Sequence, residues 1–221
     1  MSNEKLLGAA SPPSIVWAML GIFCLFEAAF WAAGNGILPF SDLRWEVYKQ
    51  LAFFDLYFEG MRDGVTVPLT LWSSFLTYAF LHGGLLHLAM NGVFFLSVGG
   101  LLSRALGATR FLILFAVTAI SGALVFALIT DFNGPLVGAS GSLFGFIGAL
   151  KAWEWRYIRA TGASAQGFWR TIAALVAINV LLAYLMPGGG GLAWEAHLGG
   201  FIGGFLIAPI LAPRFAGPSP I

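Results

Sequence analysis

Residues 138–157 read Gly138-Ala139-Ser140-Gly141-Ser142-Leu143-Phe144-Gly145-Phe146-Ile147-Gly148-Ala149-Leu150-Lys151-Ala152-Trp153-Glu154-Trp155-Arg156-Tyr157, a small-residue opening followed by a mainly apolar run. From Ser140 the run approaches the roughly 20 residues that a helix needs to cross hydrocarbon. Gly141, Gly145 and Gly148 recur at the spacing that lets one membrane helix lie close against another. Working outward, further runs of this kind extend from about Ser14 to Ala33, Gly84 to Leu102, Phe111 to Thr130, Phe168 to Met186 and Trp194 to Leu211. The pattern predicts an all-α membrane protein, a bundle of six spans forming one domain over residues 1–221, without an internal repeat.

Composition agrees with that expectation. Of the 221 residues, 59% are hydrophobic and 10% charged, against roughly 45–50% and 25% in soluble domains. The mean hydropathy is +0.86. A water-soluble globule is excluded. A net charge of +1 with no cluster of Lys and Arg offers no nucleic-acid surface. The lone Cys24 provides neither a disulfide framework nor a thiolate metal site. Lys5 followed by an apolar stretch has the order of a secretory signal, but the length of the Ser14–Ala33 run favours a retained helix beginning after Pro12-Pro13.

The basic residues set an expected orientation. Lys5, Arg104, Arg110, Lys151, Arg156, Arg159, Arg170 and Arg214 all fall at one set of span ends. By the positive-inside rule those ends, and both termini, are cytoplasmic. Arg44, Lys49 and Arg62 lie in the long first connection beside Asp42, Glu46, Asp55, Glu59 and Asp63. That connection, from Gly34 to about Leu81, is too long for a simple turn and is rich in aromatics, so it reads as short amphipathic pieces in the membrane interface. Pro187 to Gly191 reads Pro-Gly-Gly-Gly-Gly, a flexible return or a hinge.

Alternate spans run parallel, so the starts of spans two, four and six share one face. All three histidines lie near those starts, His82 and His87 at span two and His197 at span six, with Ser140 opening span four. Taken alone, Gly138-Ala139-Ser140-Gly141 favours helix packing over a nucleophile. An ionisable group inside an apolar run is rare and faces a bundle interior or a watery cavity. Gly200 and Gly204 give span six a smooth face against Gly141 and Gly145, and such packing would bring Ser140 within reach of a His197 ring nitrogen, the geometry of a nucleophile and its base. His87 and Asn91 share a helix face. Metal binding by His82 and His87 is disfavoured for want of a nearby carboxylate or Cys; donors aimed at a developing oxyanion make better chemical sense, joined by the Ser140 backbone N–H.

The ordered set His82-Gly83-Gly84-Leu85-Leu86-His87-Leu88-Ala89-Met90-Asn91, then Gly138-Ala139-Ser140-Gly141, then Ala196-His197-Leu198-Gly199-Gly200 resembles the rhomboid intramembrane serine proteases. The resemblance covers essentially the whole chain. It implies a six-transmembrane-helix rhomboid-like bundle, Ser140 as nucleophile, His197 as base, His87 and Asn91 near the oxyanion with His82 in support, and Phe144 against the catalytic imidazole. Many members carry Trp-Arg shortly before the first histidine, whereas Trp72 here is followed by Ser73, which leaves the anchor of the first connection open.

The expected activity is cleavage of transmembrane segments of other membrane proteins, single-span or polytopic, through an acyl-enzyme. Neither cofactor nor metal is implied, and the oligomeric state is left open. No third carboxylate is evident for His197; Glu195 points elsewhere, so stacking on Phe144 would orient the ring. Glu27, midway along span one, reads as a neutral structural acid hydrogen-bonded to a neighbour, with a proton path as the alternative. A proton-coupled transporter lacks the paired broken helices it would need, and a non-cleaving member that binds membrane clients stands as the other alternative. A compact six-span body points to a bacterial inner membrane.

Overall fold

A computed structural model describes residues 11–132, 134–185 and 193–211 of the chain. In chain order the elements are α1 (Ser14–Gly34), α2 (Leu43–Leu51), β1 (Phe53–Phe54), α3 (Asp55–Arg62), α4 (Thr70–Thr77), α5 (Leu85–Leu106), α6 (Ala108–Ile129), β2 (Pro135–Leu136), α7 (Ser140–Thr161), α8 (Gln166–Leu185) and α9 (Trp194–Ile207). Helices therefore occupy each of the apolar runs. The Pro187–Gly191 return lies outside the described residues.

The core is aromatic where the long helices meet. Phe95 of α5 packs on Phe23 of α1, Phe111 and Phe115 of α6, and Phe146 of α7, with ring centroids 5.2–6.2 Å apart. All five rings are buried, each 2% exposed or less. At Phe95–Gly99 α5 widens into a π turn, an irregularity that lets a helix absorb a local packing conflict without ending.

α9 is threaded between α7 and α6 on two strips of glycine. A methyl group at Gly200 would run into the Gly141 carbonyl, and one at Gly204 into the Gly145 carbonyl, so α9 meets α7 backbone to backbone. On its other side Gly199 and Gly203 leave no room for a methyl group against Ser121 of α6. Hydrophobic driving force does not distinguish helix from lipid, and close van der Waals approach through small residues is what holds such helices together.

Three described helices, α1, α5 and α6, are long and apolar enough by themselves to cross a membrane. Two of the other runs, those of α7 and α9, depart from a plain apolar span. α7 has 22 residues but carries Lys151, Glu154, Arg156 and Arg159 in its second half. α9 has 14 residues, about 21 Å of rise against roughly 30 Å of hydrocarbon. The length shortfall coincides with α9 being the most enclosed helix, lined by α6 and α7.

The first connection folds into the three short helices α2, α3 and α4. Its anchor is Arg44 on α2. The guanidinium meets the buried Glu27 carboxylate of α1 at 2.8 and 3.1 Å and also donates to the His82 carbonyl at 2.7 Å. Tyr48, one turn on, donates to the same carbonyl at 2.7 Å. Glu27 is thus not the neutral acid expected but an ion-paired structural carboxylate, because its partner arrives from the first connection and not from a neighbouring span. A second tie is the antiparallel bridge of β1 to β2, Phe53 opposite Leu136 and Phe54 opposite Pro135, which fastens the connection to the segment leading into Ser140. This short sheet is a departure from a purely helical expectation.

Candidate active site

Three helix starts converge. Ser140 is the first residue of α7, His197 the fourth of α9 and His87 the third of α5. Ser140 Oγ lies 2.8 Å from His197 Nε2. The glycine contacts between α7 and α9 explain the distance, because each missing Cβ draws the two backbones, and with them Ser140 and His197, together. His197 itself is only 3% exposed.

The imidazole is held from two further directions. The Phe144 ring stacks on it almost parallel, 6° between planes and 4.2 Å between centroids. One turn past Ser140, Phe144 is fixed by the same helix that carries the hydroxyl. The other ring nitrogen, Nδ1, lies 2.8 Å from Asn179 Oδ1 on α8. Sequence reading passed over Asn179. Its signal was present all the same, as a lone amide in the apolar stretch Ala177-Ile178-Asn179-Val180, where a polar group without a partner is costly.

His87 and Asn91 lie against Gly138, two residues before Ser140. Gly138 has φ +117°, a conformation that disfavours any side chain, and a Cβ there would sit 2.7 Å from His87 Cε1, 2.8 Å from Nε2 and 3.7 Å from Asn91 Nδ2. Gly138 therefore lets the strand before Ser140 pass against both side chains. Its amide is tied to the Tyr78 carbonyl at 3.1 Å. His87 Nδ1 accepts from the Gly83 amide at 3.3 Å, orienting the ring. Asn91 Nδ2 is buried and has no hydrogen-bond partner among the described residues. The Ser140 backbone N–H belongs to a helix start, where amides have no partner within the helix.

His82 stands one ring further back. It is buried between Phe23, at 5.3 Å, and His87, at 5.2 Å, and its carbonyl is the one held by Arg44 and Tyr48. Its place is therefore beneath His87. The described residues contain no cluster of three His, Cys, Asp or Glu side chains that could hold a metal.

A cleft of about 590 Å³ opens beside the pair, between α8 and the α7–α9 face, bordered by Phe144, His197, Trp194, Asn179 and Val176. The arrangement is that of a hydroxyl at hydrogen-bond distance from an imidazole held on two sides, with an apolar cleft beside it. Fold and site together define a helical integral membrane protein with a paired serine and histidine at its converging helix ends.

A family model described as Rhomboid domain matches residues 69–214. The chain is 31% identical over 163 residues to the rhomboid protease GluP of Bacillus subtilis, an alignment that covers 72% of this chain and 30% of GluP. It is 29% identical over 202 residues to Rhomboid protein 1, mitochondrial, of Saccharomyces cerevisiae, covering 88% of this chain and 52% of that one. It is also 29% identical over 137 residues to the putative rhomboid protease YdcA of Bacillus subtilis, covering 62% and 66%. The chain belongs to the rhomboid family. It spans only about a third to a half of the length of the first two of these relatives.

Proposed function

We propose that this protein is an intramembrane serine endopeptidase that cleaves transmembrane segments of other membrane proteins. The contact that carries the reading is Ser140 Oγ to His197 Nε2 at 2.8 Å, within a helical membrane bundle. The names of GluP and YdcA support the same class of activity.

In the first half-reaction Ser140 Oγ attacks the scissile carbonyl carbon while its proton passes to His197 Nε2. Collapse of the tetrahedral intermediate breaks the C–N bond, and His197 returns the proton to the leaving amine. Water then attacks the ester with the same ring as base, releasing the new carboxyl end and restoring Ser140. Asn91 Nδ2, the His87 ring and the Ser140 backbone N–H supply the oxyanion donors. Loss of one such donor in acyl-transfer enzymes costs about 100- to 1000-fold in rate.

In this reading α1 and α5 through α9 are six membrane spans, and both termini face the cytoplasm of a bacterial cell. The converging helix starts then lie toward the outer face, where water can reach the ester. A helical substrate shields its own backbone by hydrogen bonding, so a substrate span must unwind locally before Ser140 can reach a carbonyl. Substrates with small or helix-breaking residues near their outer ends fit that requirement, whether single-span or polytopic.

The decisive comparison is wild type against Ser140→Ala, purified in detergent and incubated with a single-span substrate. Cleavage by wild type and none by the variant is the expected result, accompanied by fluorophosphonate labelling that His197→Ala abolishes. Equal cleavage by both proteins would end the proposal.

A further inference from the structure

Stacking on Phe144 fixes the plane of His197 but says nothing about which nitrogen bears the proton. Asn179 does. Its amide nitrogen donates to the Leu175 carbonyl one turn back on α8, at 2.8 Å. A carbonyl oxygen only accepts, so the nitrogen is the atom of the amide that faces Leu175, and the oxygen is the one 2.8 Å from His197 Nδ1. An amide oxygen also only accepts, so Nδ1 carries the hydrogen. In a neutral imidazole that leaves Nε2 bare, with its lone pair directed at Ser140 Oγ 2.8 Å away.

We infer that Asn179 is a positioning residue that holds His197 in the one neutral tautomer able to take the serine proton. The inference rests on the protease reading above and adds to it the residue that arms the base. In the opposite tautomer Nδ1 and the amide oxygen would meet lone pair to lone pair, and Nε2–H would donate to a hydroxyl left with nothing to deprotonate it. The Nδ1–H bond also persists when Nε2 takes the proton, and it then becomes charge-assisted.

The acceptor comes from α8, which the described contacts fasten to α7 near its start. There Lys151 donates to Thr171 at 3.0 Å and Trp155 packs on Phe168 with centroids 5.1 Å apart. Further along, the cleft of about 590 Å³ intervenes, and the Asn179–His197 bond bridges it. The poise of the base therefore depends on where α8 sits.

The test uses the full chain in detergent micelles, labelled with ¹⁵N histidine. Only three imidazoles occur in the protein, and the signals lost in His197→Gln identify the one of interest. Wild type is expected to show His197 as the Nδ1–H tautomer, and Asn179→Leu to move it toward a mixture. Against a single-span substrate, Asn179→Leu is expected to lose about 10- to 100-fold in kcat with KM within about twofold, while Asn179→Asp, which keeps an acceptor oxygen, recovers much of the loss. An Nε2–H tautomer in wild type overturns the inference. So does undiminished kcat in Asn179→Leu when Ser140→Ala is inactive. Should Ser140→Ala still cleave, the protease reading falls, and the ring spectrum decides the tautomer independently of turnover.

Discussion

Ser140 and His197 meet at hydrogen-bond distance, yet a hydroxyl beside a free imidazole is a weak arrangement unless the ring is kept in place. Phe144 does this by lying flat on it. The near-parallel contact restricts tilt without spending a polar group in an apolar setting, and stacked aromatic pairs of this kind contribute about 0.5–1.5 kcal/mol beyond the area they bury. Phe144→Leu keeps a residue of similar polarity and removes the flat face. It is expected to lower kcat about tenfold with little change in melting temperature, measured by cleavage kinetics beside a thermal melt in the same detergent. A melting temperature that falls in step with kcat would show that Phe144 serves packing and not ring orientation. Of these residues Ser140 and His197 were legible from the motifs they sit in, and Phe144 only through the family resemblance. Asn179 was not, because nothing local distinguishes an amide that partners a histidine from one bonded to its own helix, and Asn179 does both.

At the scale of elements, the approach of α9 to α7 and α6 decides whether the residues can meet at all. Gly200 and Gly204 lie against carbonyl groups of α7, which are backbone and cannot swing aside. Gly200→Ala therefore forces the helices apart and shifts His197, one turn earlier, away from Ser140. The expected cost is about 1–3 kcal/mol of stability, read as a lower melting temperature, with cleavage lost further than stability alone would dictate. Gly167 on α8, where a methyl group meets nothing within 4 Å, is the matched control, and Gly167→Ala is expected to behave as wild type. Equal behaviour of the two variants would remove the argument that glycine contacts set the site. The glycine spacing was visible in the sequence. The second glycine strip of α9, toward Ser121, became meaningful only once α6 was seen beside it.

For the whole molecule, the first connection is locked down by one polar node. Arg44 joins α2 to Glu27 of α1 and to the His82 carbonyl, so three parts of the chain that are distant in sequence share a single guanidinium. Glu27 is buried while the Arg44 side chain is 34% exposed, which screens the pair and lowers its worth relative to a fully enclosed one. Glu27→Gln keeps the shape and removes the charge. It is expected to cost about 1–2 kcal/mol, seen as a lower melting temperature and faster proteolytic nicking between Gly34 and Leu81. Unchanged nicking would mean that the β1–β2 bridge holds the connection without help.

The sequence by itself determined where the helices lie, that they belong in lipid, and which serine and histidines stand at helix starts. Those properties follow from local hydropathy and from spacing along one chain, and both are written in consecutive residues. Tertiary structure decided that α9 stops at 14 residues inside its neighbours, that Arg44 answers Glu27, and that Asn179 faces His197. Each of those outcomes depends on how far one helix is rotated and how closely it approaches another. Partners 17 or 18 residues apart leave no periodic mark on the sequence, because the orientation of each side chain is settled only when the helices pack.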